Sequence, residues 1–495
     1  MTTTHTVFNQ VPVLQDYNLF TTDIALHDAV VREGAGWHGT ALSRYGAQLG
    51  GAETIRLGEL ANRHGPELVT HDRNGRRVDR VDFHPAWFAL LEMLYAAGVH
   101  CSAWAEPRAG AQVARAAAFF LQGQIEAGSL CPATMTFASI PVLAKEPDMF
   151  TGLRDKLFSR DFDARDMPLD AKHSAMIGMG MTEKQGGSDV RSNTTTAQPC
   201  GCGGRGGEYT LVGHKWFFSA PMCDAHLVLA REGEDLSCFF VPRWLPDGTR
   251  NNVHIQRLKD KVGNRSNASS EVEFNDAYGI LIGEPGRGVA TIIEMASHTR
   301  LDCVLGSAAL MRQALVQAIH HARHRSAFGA LLIEQPLMRS VLSDLALECE
   351  AATVLAVRLA RACEESGNDP LERALWRIVT PAAKFWICKR AIEVAAECME
   401  VWGGNGYVED GPMGRLFREA PVNSIWEGSG NVMCLDVLRA FAREPHSADA
   451  LKQFLVAACS DHPILSLATR ELVVQLEASH AQESSARYIA QQLVL

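Results

Sequence analysis

Glu427 stands directly after Trp426 and directly before Gly428-Ser429-Gly430, within PVNSIWEGSGNVMCLDVLR (421–439). Val432, Leu435 and Leu438 follow at helical spacing. A backbone that turns at glycines and then enters a helix presents unpaired N–H groups, which suit an anion such as a pyrophosphate. A carboxylate held there beside an indole sits where low polarity raises its pKa toward the strength of a general base. Taken alone, W-E-G-S-G also fits a solvated loop. His320, His321 and His324 are close enough in sequence to suggest a metal, but no carboxylate or cysteine completes a ligand set, so no metal site is expected.

The elements that must position this turn fall into four stretches. Residues 1–175 read as a polar arm to about Thr21 followed by mostly helical sequence. Trp87, Leu90, Leu91, Leu94 and Tyr95 are helically spaced in His84–Ala105, and Val113–Ala127 continues in the same way. Residues 176–285 change period. Tyr209–Val212, Ala225–Ala230, Cys238–Pro242, Val253–Gln256 and Ser270–Phe274 read as short strands between turn-rich spacers, which predicts a small antiparallel barrel or sandwich. Residues 286–445 return to helix in Arg300–His324, Pro336–Glu365, Leu371–Trp402 (with a kink expected at Pro381) and Gly430–Arg443, as a four-helix bundle requires. Residues 446–495 read as two or three further helices. They finish on AQQLVL, an apolar stretch without a stop signal, which we read as a truncated helical region. The fold class expected is α+β, mainly α.

A chain of 495 residues is long enough for two to four domains, and 47% hydrophobic with 21% charged residues describes an ordinary globular protein. The formal net charge of −10 excludes a global attraction for nucleic acid or an anionic membrane. From Leu371 to Leu495 there are 12 Lys+Arg against 15 Asp+Glu, net −3, so any DNA contact needs a local patch. Thirteen scattered cysteines form neither a zinc pattern nor a disulfide framework. The first residues carry no secretory signal and no run reaches the ~18 apolar residues of a membrane helix. A cytoplasmic protein with no membrane partner is expected. No strand-linked G-x-G-x-x-G occurs, so a Rossmann nucleotide site is not in use.

Over about residues 80–445 the chain resembles the acyl-CoA dehydrogenase family. The carrying segments are MTEKQGGSDV (181–190), KWFFS (215–219), KVGNR (261–265), R-x-x-F-G at Arg325–Gly329, GGNGY (403–407) and the W-E-G-S-G turn. THTVFNQ in the arm, EAGSLCPATMTFA (126–138) and RLKDKVGNRSNAS extend the likeness over nearly the whole chain. They make it most similar to the flavoprotein branch tied to the bacterial response to DNA alkylation.

The resemblance implies FAD as cofactor, Glu427 as the base that removes the proton α to a thioester, and hydride passage to the flavin. The base position used by some branched-chain members, just before an arginine, is here Thr299 before Arg300. By the same matching, Met181, Thr182 and Gly187 border the flavin, Ser188 and Arg300 meet acyl-CoA, and Ser188 also lies in the cofactor loop. Ser219 lies near the ring, Phe217 walls it and Phe218 adjoins. Arg325, with Phe328 and Gln335, reaches the cofactor of a neighbouring subunit. Glu400, Gly403 and Gly404 line the adenosine half, and Ser429 and Asn431 cap the helix facing the cofactor. Three departures from the pattern are Glu400 in place of Gln, Gln335 one place early because Pro336 holds the usual position, and Trp426 in place of Tyr. Trp426 with Phe217 and Phe218 narrows the acyl channel, which puts long-chain substrates in doubt.

Two functions are expected from this. The first is an FAD flavoprotein of the alkylation response, a homotetramer associated with double-stranded DNA and at most a weak acyl-CoA dehydrogenase. The alternative is a working dehydrogenase for short or branched acyl-CoA with no DNA role. The cationic stretch Arg312, His320, His321, Arg323, His324 and Arg325 reads either as a solvated helix face with one cofactor arginine or as a DNA patch.

Overall fold

The computed structural model describes residues 4–477 and 483–495. Contacts divide the chain into two compact units that do not follow sequence order.

One unit comprises Arg56–Ala111 and Glu126–Asp302. It opens with a hairpin, β1 (Glu67–His71) and β2 (Arg77–Asp82), inside the stretch read as mostly helical. The signal was short: an Asn74-Gly75 turn followed by R-V-D-R-V-D alternation, with Gly75 at φ +78°. Its β domain contains β3 (Ile177–Gly180), β4 (Thr196–Pro199), β5 (Glu208–Ser219), β6 (Ala225–Glu232), β7 (Asp235–Pro242), β8 (Val253–Leu258) and β9 (Ser269–Ile282). The order is β3-β6-β4-β5-β9-β7, β8 adds to β9, and β7 pairs back onto β6, so the sheet closes into a barrel. All five runs expected from sequence lie in β5–β9. β3 and β4 have four residues each, too few for a period to show, and β3 lies parallel to β6.

The barrel core gathers Tyr209, Leu211, Phe218, Phe239, Val272, Phe274 and Leu281. Phe218 stacks on the buried ring of His226 at a centroid distance of 3.9 Å. Burial pushes the His226 pKa down to about 3, so the ring is neutral in the core. Phe218→Ala should cost about 3–5 kcal/mol, read as a lowered urea midpoint.

The other unit comprises residues up to Ile55, Gln112–Ile125 and Cys303–Leu495. Helix Ala111–Ile125 is buried on every side. The Gln122 side chain accepts from the Tyr45 hydroxyl at 2.6 Å, and the Gln112 N–H donates to Glu364 at 2.8 Å. Four long helices follow as expected: Gly288–His324, which begins in the first unit, Pro336–Glu365, Thr380–Val401 and Gly430–Arg443. The irregularity expected at Pro381 is a π-helical turn, Leu375–Val379, just before it. Pro381 has no N–H to donate back, and the wider turn absorbs the mismatch. Helices Pro445–Ala458, Pro463–Glu477 and Ala486–Gln492 complete the described chain, and the last packs on Thr380–Val401 and Gly430–Arg443. Among the described residues no helix is long and apolar enough to cross a membrane.

Candidate active site

The Glu427 turn is built on a strained backbone. Glu427 has φ +59°, a left-handed conformation that costs a non-glycine residue about 1–3 kcal/mol, and Gly428 follows at φ +99°. A short 3₁₀ turn, Val422–Ser424, leads into it and helix Gly430–Arg443 leaves it. The Trp426 indole N–H donates to the Asn423 side-chain oxygen at 2.8 Å, and the Asn423 amide donates to Ser307 Oγ at 3.2 Å. Beneath the turn lies Lys384, 1% exposed. Its ammonium donates to the carbonyls of Asn423 (3.0 Å), Trp426 (2.8 Å) and Gly428 (2.8 Å). Ser429 is the N-cap by position, yet its side chain makes no capping hydrogen bond. Asn431 is not a cap: it is the second residue inside the helix and exposed, because the helix starts at Gly430.

In the same unit, Gly403 (φ +61°) and Gly404 open a 3₁₀ turn with clear space where a Cβ would stand. Glu400 is exposed in the last turn of the preceding helix. Arg325 leaves the end of the long helix and its guanidinium donates to the Asn9 carbonyl of the N-terminal arm. Phe328 (φ +52°) is fully exposed at the tip of a tight hairpin, β10 (Ser326–Ala327) and β11 (Ala330–Leu331), which the Gln335 side chain braces through the Ala327 carbonyl at 3.2 Å.

The cationic stretch is largely spent inside the fold. Arg312 pairs with buried Asp23 at 3.1 Å, His320 bonds the Pro12 carbonyl at 2.8 Å, and His324 bonds the His320 carbonyl. His321 is buried and stacked on Trp402, and burial holds its pKa down at about 4. No cluster of metal-ligating side chains occurs among the described residues.

In the β-domain unit, the Met181–Ser188 loop is pinned to β5: the Trp216 N–H donates to the Thr182 carbonyl at 2.8 Å. The pairing of β5 with β9 shifts register between Lys215 and Phe218, a bulge that re-aims the strand. Phe217 therefore stands exposed and Ser219 half-buried, while Phe218 turns into the core. Phe218 thus cannot share a face with its neighbours, a correction dictated by the strand's two-residue period. Gly187 lies against Thr182, whose Oγ1 a Cβ would approach to 2.5 Å. Ser188 is exposed and Arg300 half-buried. Thr299 is buried and spends its hydroxyl on the Ala296 carbonyl, 3.1 Å away.

An ion pair that sequence reasoning did not single out holds this loop. Lys215 and Glu183, both with fully buried side chains, meet at 2.7 Å. Glu183 also accepts from Thr194 N–H (2.7 Å), Thr194 Oγ1 (3.0 Å), Thr195 N–H (3.1 Å) and the Gln185 amide (2.8 Å). Burial opposes ionisation of Glu183, but the Lys215 charge and these donors outweigh it and hold the carboxyl well below the usual range. Burial in turn lowers Lys215 to about 8. Because the folded pKa of Glu183 lies below its unfolded value of about 4.3, this stabilisation is complete above that pH and is lost as pH falls below it. The thermal midpoint should fall with acidification in that window, and Glu183→Gln should flatten part of the slope. In sequence Glu183 lies between Thr182 and Lys184 and Lys215 between His214 and Trp216, neighbours that mark neither as buried.

Three family models match successive stretches of the chain. The family model for the AidB N-terminal domain ("Adaptive response protein AidB N-terminal domain") matches residues 9–164. The acyl-CoA dehydrogenase middle domain matches 178–277 and the acyl-CoA dehydrogenase C-terminal domain 286–442. The putative acyl-CoA dehydrogenase AidB of Escherichia coli K12 is 53% identical over 99% of this chain and 90% of its own. The apo-form structure of Bd2924 superposes with a TM-score of 0.89 at 29% identity, covering 99% of this chain and 97% of that one. Caenorhabditis elegans ACDH-11, crystallised in complex with C11-CoA, gives 0.89 at 27% identity over 100% and 88%. The chain belongs to the acyl-CoA dehydrogenase family, in the branch that carries the AidB N-terminal domain.

Proposed function

We propose that this protein is an FAD-dependent acyl-CoA dehydrogenase in which Glu427 is the base. The observation that carries the proposal is the turn itself: a carboxylate on a left-handed residue, fixed from below by Lys384 and followed by a helix start that its N-cap side chain leaves open. A strained backbone that the surroundings over-determine is the usual sign of a pre-organised functional group.

The family is FAD-dependent, and the donor set fits that cofactor. The first-turn N–H groups of Gly430–Arg443 and the open backbone at Gly403 and Gly404 suit phosphates and a close nucleotide approach. Phe217 offers an exposed ring, and Met181, Thr182, Gly187 and Ser219 lie on the loop and strand that the Glu183–Lys215 pair joins. Bound FAD supplies a two-electron acceptor for the hydride leaving the β carbon. Glu427 takes the α proton, and backbone N–H groups beside it polarise the thioester carbonyl. Ser188 and Arg300 contact the acyl-CoA, Arg325, Phe328 and Gln335 serve the cofactor of a partner subunit in a homotetramer, and Trp426 shortens the acyl channel. The test is α-proton exchange: in deuterated buffer a short acyl-CoA should gain deuterium at the α carbon with the holoenzyme. No exchange with butyryl- or isovaleryl-CoA would refute the base assignment.

A role in the alkylation response, with binding of double-stranded DNA, is the second reading, favoured by the match to an adaptive-response N-terminal domain over residues 9–164. The stretch Arg312–Arg325 does not help it, since the arm and the core claim most of its cations. Retention of duplex DNA at physiological salt, lost steeply as salt rises, would support this reading.

A further inference from the structure

We infer that Lys384 is the positioning residue of the active site, holding the backbone turn that aims Glu427. The inference rests on Glu427 being the base, and adds the residue that makes that base effective.

Three observations converge. Lys384 sits in an apolar helical stretch, Thr380–Val401, among buried Pro381, Ala382, Ala383 and Phe385. A lysine at 1% exposure is costly to bury unless its charge is used. Its one nitrogen is within 3.0 Å of three carbonyls, those of Asn423, Trp426 and Gly428. Two of these flank Glu427 in sequence. The residue between them carries the left-handed φ of +59°. An ammonium presents three donors from a single point, so it can draw carbonyls that diverge along the chain toward one centre. Drawing the carbonyls of residues 426 and 428 to one centre fixes the peptide units on both sides of Glu427 and locks its backbone in a strained form. The Asn423 carbonyl extends the same hold to the start of the turn, and its side chain ties Trp426 to Ser307.

The experiment compares wild type, Lys384→Met and Lys384→Arg as FAD-loaded proteins, by amide hydrogen exchange and by steady-state oxidation of butyryl-CoA with an artificial electron acceptor. In Lys384→Met, exchange in residues 423–430 should rise about 10-fold or more while barrel strands β6 and β7 stay protected. kcat should fall about 10²-fold, the cost of misplacing a reacting group by about 1 Å, with KM changed less than about 3-fold. A role confined to stability would lower the melting temperature without that split. Unchanged exchange in the turn, or faster exchange with unchanged kcat, would overturn the inference. Should Lys384→Met fail to fold, Lys384→Arg reads the same pair of quantities. A planar fork cannot serve three carbonyls from one point, so exchange should rise and kcat fall together, and wild-type values for both would overturn the inference. If the wild type itself oxidises no acyl-CoA, the base assignment fails, while the exchange comparison still decides whether Lys384 holds the turn.

Discussion

Glu427→Gln should keep its FAD and its fold yet lose about 10²–10⁴-fold in the rate of flavin reduction by a short acyl-CoA, the span that a positioned general base contributes. Glutamine is nearly isosteric and tolerates the left-handed backbone no worse than glutamate, so the turn at φ +59° should survive the exchange. What disappears is the ability to accept a proton. Anaerobic stopped-flow mixing reads the rate and the visible spectrum reads the flavin. A variant that reduces as fast as wild type would remove Glu427 from the role. Loss of flavin together with activity would show instead that the side chain holds the cofactor or the turn.

The second large effect concerns the β domain. Lys215→Met should destabilise the protein by about 3–5 kcal/mol, because it leaves the Glu183 carboxylate buried without its cation. The double variant Lys215→Met/Glu183→Gln should recover most of the loss, since a matched neutral replacement of a buried pair is often close to neutral. Thr194 would still donate to a glutamine oxygen placed at Oε2, while the amide nitrogen takes the Oε1 position that Lys215 and Thr195 N–H now share. Urea unfolding of the two variants separates the cases: equal losses would mean that packing of the lysine stem, rather than its charge, carries the effect. The pair matters beyond stability, because Glu183 adjoins Thr182, and Thr182 is hydrogen-bonded to the strand that presents Phe217 and Ser219.

Much of this was legible in the sequence because it is local. Strands β5–β9 show their period over six or more residues, and the long helices show theirs over dozens, so their order could be read directly. β3 and β4 are too short to show a period, and the β1–β2 hairpin was hidden by its helical surroundings. The β5 bulge could not be read from β5 alone, since it exists only in the pairing with β9. For that reason the sequence did not show which of Phe217 and Phe218 faces the core, although the two-residue period puts them on opposite faces. The glycine-framed turn around Glu427 was visible, but what holds it was not: Lys384 lies about forty residues away in sequence, and a lysine in an apolar helix gives no hint of its partners until the fold brings three carbonyls to it. Glu183 and Lys215, 32 residues apart, were obscured for the same reason. The arm residues Asn9 and Pro12 likewise claim Arg325 and His320 across more than 300 residues, which no local reading of a cationic stretch reveals.

The most direct measurement is anaerobic titration of the FAD-loaded protein with butyryl- and isovaleryl-CoA, following the visible flavin band. The account predicts prompt bleaching that approaches completion as the acyl-CoA is raised, with the enoyl product recovered in proportion. A band that stays fully oxidised under excess acyl-CoA would contradict it and leave the alkylation-response reading to stand alone.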